Sequence, residues 1–199
     1  LYRWKKSGDL EGADKMLAEA VRRRPNDELL YRDRAKVVLE RGRRAEAVAL
    51  LERRPTGACP RADATLMLVG AYVEDKRYDD ALAVLGATPF NNFEGQTESW
   101  DLFNRAHVER GKLRLEANAA EALADFEAAL TYPENLRVGR PYKYREAEAQ
   151  YWRGKALLAL GRADEARTAW RAGADGPAST EVQNKHRDLC AQALDLLGR

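Results

Sequence analysis

Apolar residues recur three or four apart along this chain, in short runs separated by glycine, proline and charged side chains. Ala13, Leu17 and Ala20 share one helical face, as do Tyr31, Ala35 and Val38. Leu68, Val69 and Tyr72 follow, and then Tyr151, Gly154 and Leu157. A period of this length predicts amphipathic helices that each bury one stripe. The segments between turns are rich in Ala, Leu, Glu and Arg, all good helix formers, and no β-branched run competes with them. An all-α protein is expected.

The helices themselves repeat. Ala13, Ala47 and Ala81 stand at a step of 34 residues, and the same apolar pattern returns less regularly around Ala122, Phe126 and Ala129, then around Gly161, Ala166 and Trp170. Two helices fit in one such period. Gly8, Gly42 and Gly161 fall at the helix–helix turns, where positive φ is cheap for glycine, and Pro25 and Pro133 close their helices. Antiparallel helices approach closely only where small residues face each other, so Ala35 with Ala47 and Gly154 with Ala166 are expected at the crossings. Leu51, Leu85, Phe126 and Trp170 are expected to fill the groove between one hairpin and the next.

A 34-residue period with two helices per unit resembles the tetratricopeptide repeat family over nearly the whole chain. The resemblance implies an α-solenoid of antiparallel helical hairpins in a right-handed superhelix. The expected organisation is a single array over residues 1–199. It has a truncated repeat at about 1–25, hairpins at 27–54, 61–88, 98–132 and 144–174, and a C-terminal capping helix at 178–198. The chain opens without Met in what reads as the middle of a helix, so it is expected to be a piece of a larger protein. Two stretches depart from the repeat. TPFNNFEGQTE, ending at Glu98, is too long and polar for an ordinary turn, and its Phe90 and Phe93 are expected to tuck back on a helix. Extra residues around Gly111 to Asn118 leave the phase of the helix before them open. The segment YPENLRVGRPYKYRE, from Tyr132 to Glu146, with the EAEAQYWRG around it, is similar to a loop in C-terminal tetratricopeptide regions of large bacterial proteins of unknown function. That resemblance implies a parent with β-rich, carbohydrate-enzyme-like domains ahead of the repeats.

Charge narrows the function. The net charge of +2 comes from nearly balanced acids and bases, so no strong field favours nucleic acid or an anionic membrane. Arg22-Arg23-Arg24 and Arg53-Arg54 end helices, where cations suit the exposed carbonyls. Cys59 and Cys190 stand far apart with no metal-ligand spacing, which points to free thiols in a reducing, cytoplasmic compartment. No apolar run is long enough to cross a bilayer.

Catalytic chemistry finds little support in the residues. His107 and His186 are isolated, and His107 beside Phe103 reads as a packing or surface residue. Glu146 and Glu148, two apart, point to different faces of a helix, and Asp79-Asp80 suit a helix N-terminus. Gly8-Asp9-Leu10 and Gly161-Arg162-Ala163 are hairpin turns rather than phosphate cradles. The expectation is a non-enzyme with no cofactor and no metal. Its work would be protein–protein interaction, with a peptide or partner domain held on the concave face. The family's inward positions map onto Tyr2, Lys5, Arg32, Lys36, Tyr151 and Lys155, a basic wall with aromatic platforms suited to an acidic or C-terminal peptide. The asparagines of the carboxylate-gripping versions are missing, since Leu66, Met67 and Gly70 stand on the next first helix. The alternatives are a structural appendage that packs on the parent's own upstream domain or self-associates, and a sugar platform built from Tyr142, Tyr144, Tyr151 and Trp152.

Overall fold

The computed structural model describes residues 8–57, 61–91, 95–177 and 180–197. Every regular element among them is helical. In chain order they are α1 (Leu10–Arg23), α2 (Glu28–Glu40), α3 (Arg44–Glu52), α4 (Ala62–Glu74) and α5 (Tyr78–Ala87). There follow α6 (Glu98–Arg114), α7 (Ala119–Ala129), a 3-10 turn (Glu134–Leu136), α8 (Ala147–Ala159), α9 (Ala163–Ala174) and α10 (Glu181–Leu197). The chain divides into two compact units, Leu1–Thr88 and Pro89–Arg199. Within each, successive helices pack on one another and the first helices of neighbouring hairpins also touch: α2 on α4 in the first unit, α6 on α8 and α8 on α10 in the second. Each unit is a stack of helical hairpins, the α-solenoid arrangement, in which every hairpin buries its apolar face only against its neighbours.

The turns explain the repeat. Gly42 and Gly161 adopt φ of 74° and 73°. After each, the chain reverses through the same pair of hydrogen bonds: Gly42 N–H donates to Leu39 O and Arg43 N–H to Val38 O, while Gly161 N–H donates to Leu158 O and Arg162 N–H to Leu157 O. This left-handed cap satisfies carbonyls that a helix end leaves free. The corresponding place before α5 holds Lys76, at φ 59°, with the same bonds from Lys76 N–H to Val73 O and from Arg77 N–H to Tyr72 O. The turn between α6 and α7 is built differently. Helix α6 continues past Gly111 to Arg114, Leu115 stays right-handed, and the Asn118 side chain caps α7 by accepting from Glu121 N.

Packing puts glycine opposite the large residues. A Cβ on Gly111 would lie 2.6 Å from the Phe126 ring, and one on Gly154 would lie 2.2 Å from Trp170 Nε1. The aromatics of α7 and α9 therefore seat first in hollows on the first helix of their own hairpin. This differs from the inter-hairpin filling expected of them. Phe126 serves both places, because its ring also stacks on Trp152 of the next first helix at 6.4 Å between centroids. The second unit's main core joins Phe126, Leu157, Ala166, Trp170 and Cys190.

The segment between α7 and α8 is a packed strap rather than a loose loop. Leu136 and Val138 are buried. Ser99 Oγ donates to Leu136 O at 3.0 Å, and Trp100 Nε1 donates to Thr131 O at 2.8 Å. The Trp100 and Tyr132 rings stack at 4.8 Å with planes 2° apart. Phe90 tucks back as expected: it is buried, and its N–H donates to Asn135 O at 2.8 Å. Phe93 lies outside the described residues. At the strap's end the buried Glu146 carboxylate receives two bonds from Arg140, at 2.7 and 2.6 Å, and one from Tyr132 OH at 2.9 Å. Burial, reinforced by that carboxylate, raises the Tyr132 phenol above the ordinary tyrosine range.

Candidate interaction surface

Of the six residues expected on the inner wall, Tyr2 and Lys5 lie outside the described residues. Arg32 and Lys36 stand on α2 in the first unit, Tyr151 and Lys155 on α8 in the second. Their surroundings differ. Arg32 is half-buried and committed: its guanidinium reaches Asp33 and also Asp63 on α4, each at 2.5 Å. Tyr151 is half-buried, edge-on to Trp152 at 5.3 Å and tilted against His186 at 5.7 Å. Lys36 and Lys155 are exposed.

A polar chain ties the three first helices of the second unit together. Lys112 on α6 donates to Glu109 at 2.7 Å and to Glu148 on α8 at 2.6 Å. Its ammonium lies 5.4 Å from the Trp152 ring centre. Burial alone would lower the Lys112 pKa, but the two carboxylates outweigh it and raise it. On α10, Gln183 accepts from Glu148 N, and His186 Nε2 stands 3.7 Å from Glu148. His186 Nδ1 is 2.7 Å from Val182 O; a carbonyl only accepts, so Nδ1 carries the proton of that bond. Spacing along the sequence did not indicate this network, because its members meet through the register between helices.

Other charges are structural. Asp14 on α1 is buried and receives Arg34 at 2.9 Å, Arg43 at 3.2 Å and Arg41. Asp125 on α7 gathers His107 at 3.0 Å, Arg110 at 2.5 Å and Arg114 at 3.1 Å, while Phe103 packs edge-on against His107. Burial would raise the Asp125 pKa, yet the bonds from His107 and Arg110 win and lower it. Arg53 donates to Ala49 O, as suits a helix end, but Arg54 is buried and bridges Leu51 O, Thr65 and Glu28. At the turns through Gly42, Lys76 and Gly161 the arginine that follows pairs with an acid three residues on: Arg43 with Glu46, Arg77 with Asp80, Arg162 with Glu165. A cation at a helix N-terminus is unfavourable by itself, and the acid one turn later offsets it. A shallow depression near the start of α2 is walled by Arg23, Arg24 and Arg61, whose guanidinia already face Glu19, Asp27 and Asp63. Among the described residues no helix is long and apolar enough to cross a membrane.

Residues 104–180, which take in most of α6 and all of α7 to α9, match the family model for the tetratricopeptide repeat. This segment is tetratricopeptide repeat. Two solved structures share the fold. One, described as the crystal structure of MamA, is 14% identical with a TM-score of 0.52, and the match covers 98% of this chain and 95% of that one. The other, described as the crystal structure of MamA protein, is 15% identical with a TM-score of 0.54 over 96% of this chain and 89% of that one. At such identities the likeness speaks of fold alone. Tetratricopeptide hairpins serve in general as scaffolds for protein–protein interaction, and the repeats over residues 104–180 support that general role here.

Proposed function

We propose that the first-helix faces of this tetratricopeptide protein hold acidic segments of partner polypeptides, gripped by Lys36 in the first unit and by Lys155 beside Tyr151 in the second. One observation carries this reading. Lys36 and Lys155 are exposed and have no ion-pair partner among the described residues, whereas Arg32 is already committed to Asp33 and Asp63. A free ammonium keeps its attraction for an incoming carboxylate, while a paired guanidinium must first release its own. Tyr151 supplies a half-buried ring whose conformational cost on binding is small. The decisive experiment titrates a fluorescent acidic peptide into the protein and into its Lys36→Glu and Lys155→Glu variants. Each reversal should weaken binding several-fold at low salt, with the effect fading as salt rises. Unchanged anisotropy curves for both variants would remove the assignment. Arg32→Glu should instead lower stability, because it places a carboxylate against Asp33 and Asp63.

A further inference from the structure

Helix α10 turns Gln183, His186 and Cys190 into the second unit. Leu197 packs on the same core. Val182, Leu189 and Leu196 each stand one residue before one of these inward residues, so they form a row about 100° round the helix. Val182 is 51% and Leu196 is 72% exposed, with Leu189 half-buried between them. On a helix a seven-residue row drifts only about 20° per step, a nearly straight stripe of the kind that a second helix packs against.

The charges beside the row restrict what that helix can be. Glu181, Asp188 and Asp195 also recur at seven, are exposed, and have no ion-pair partner among the described residues. Lys185 is the one exposed base on the same face of α10 among the described residues, so the edge is net acidic. A second copy of α10 laid antiparallel against the row would set Glu181 near Asp195 and Asp188 near its own counterpart. Like charges so placed repel, which disfavours self-pairing. The inner layer supplies the docking geometry: α8 lies against α6 and α10 against α8.

We infer that the Val182–Leu189–Leu196 flank of α10 is a docking edge for an amphipathic helix of a separate polypeptide. That helix carries an apolar stripe bordered by Lys or Arg, and it seats on α10 as α10 seats on α8. This edge selects the charge opposite to the one proposed for Lys36 and Lys155.

The test uses the full chain and two synthetic helical peptides with the same leucine stripe, one edged with lysine and one with glutamate. Fluorescence anisotropy should show the lysine-edged peptide binding at least about tenfold more tightly, a preference shrinking with added salt. Leu189→Asp with Leu196→Asp should abolish its binding, with circular dichroism and thermal midpoint checking that the fold is kept. Reversing Glu181, Asp188 and Asp195 to lysine should transfer the preference to the glutamate-edged peptide. Lys155→Glu should leave the lysine-edged peptide unaffected, which separates this edge from the first-helix face. Equal affinity for both peptides overturns the inference, as does binding indifferent to the leucine substitutions. A self-associated protein that Leu196→Asp turns monomeric overturns it too, by assigning the flank to a second copy.

Discussion

Trp170 fills the hollow above Gly154. Its indole N–H donates to Tyr151 O at 3.0 Å, and a methyl group on residue 154 would meet the ring nitrogen at 2.2 Å. Intrinsic helix propensity favours Gly154→Ala by about 1 kcal/mol, whereas overpacking a filled site costs about 1–3 kcal/mol and Trp170 cannot retreat without losing its bond. The clash should win, and the thermal midpoint should fall. Gly70, in the interior of α4, has open space where its Cβ would go, so Gly70→Ala should raise the midpoint through propensity alone. A rise for both substitutions would mean that the Gly154 contact is soft.

The left-handed turn at Lys76 carries a strain that glycine would relieve. A side chain in this conformation costs about 1–2 kcal/mol, so Lys76→Gly should stabilise the protein by up to about 1 kcal/mol once the greater freedom of glycine in the unfolded chain is counted. Gly161→Ala should move the urea midpoint the other way. Equal midpoints for wild type and Lys76→Gly would show that the turn is unstrained.

Asp125 links stability to acidity. Its carboxyl is held below the ordinary value in the folded chain, so its contribution is complete above the unfolded value near 4 and is lost as pH falls through the folded one. Asp125→Asn should therefore destabilise at neutral pH, because it removes the buried carboxylate on which His107, Arg110 and Arg114 converge. Denaturation measured again near pH ~3 should find the gap between wild type and variant narrowed. A constant gap at both pH values would show that the pair contributes packing only.

Cys190 is buried, and burial raises its thiol to about 12. The thiolate is the reactive species, so in a Cys59→Ser background iodoacetamide should label Cys190 very slowly at pH ~8 and quickly after unfolding in urea. Fast native labelling would reveal frequent opening of α10 away from Gly173, whose added Cβ would sit 2.6 Å from the Cys190 sulfur.

Periodicity made the helices legible, because each needs one apolar stripe and glycine marks most of its turns. Lys76 escaped that reading, since nothing in its own chemistry announces positive φ. The arginine-to-acid step shared by Arg43, Arg77 and Arg162 was the available signal for that turn. Among the candidate cations, sequence alone could not separate Arg32 from Lys36. One turn apart on α2, they differ in whether a carboxylate from α4 reaches them, and that depends on helix register. The bridge from Lys112 through Glu148 to His186 was invisible for the same reason. The row at Val182, Leu189 and Leu196 could be seen as a period, but only packing shows which flank of α10 is left uncovered.

Repeat proteins commonly evolve by gaining or losing whole units, since a short turn can be cut and rejoined without disturbing its neighbours. The strap from Thr131 to Glu146 denies this chain that freedom at one junction. Thr131 O and Leu136 O receive the bonds of Trp100 and Ser99, so the strap is fastened back onto α6 of the hairpin it follows. Arg145, just before α8, also reaches Asp101 on α6 at 2.5 Å, so removing either hairpin alone would break bonds at this junction, which favours keeping the pair as one block.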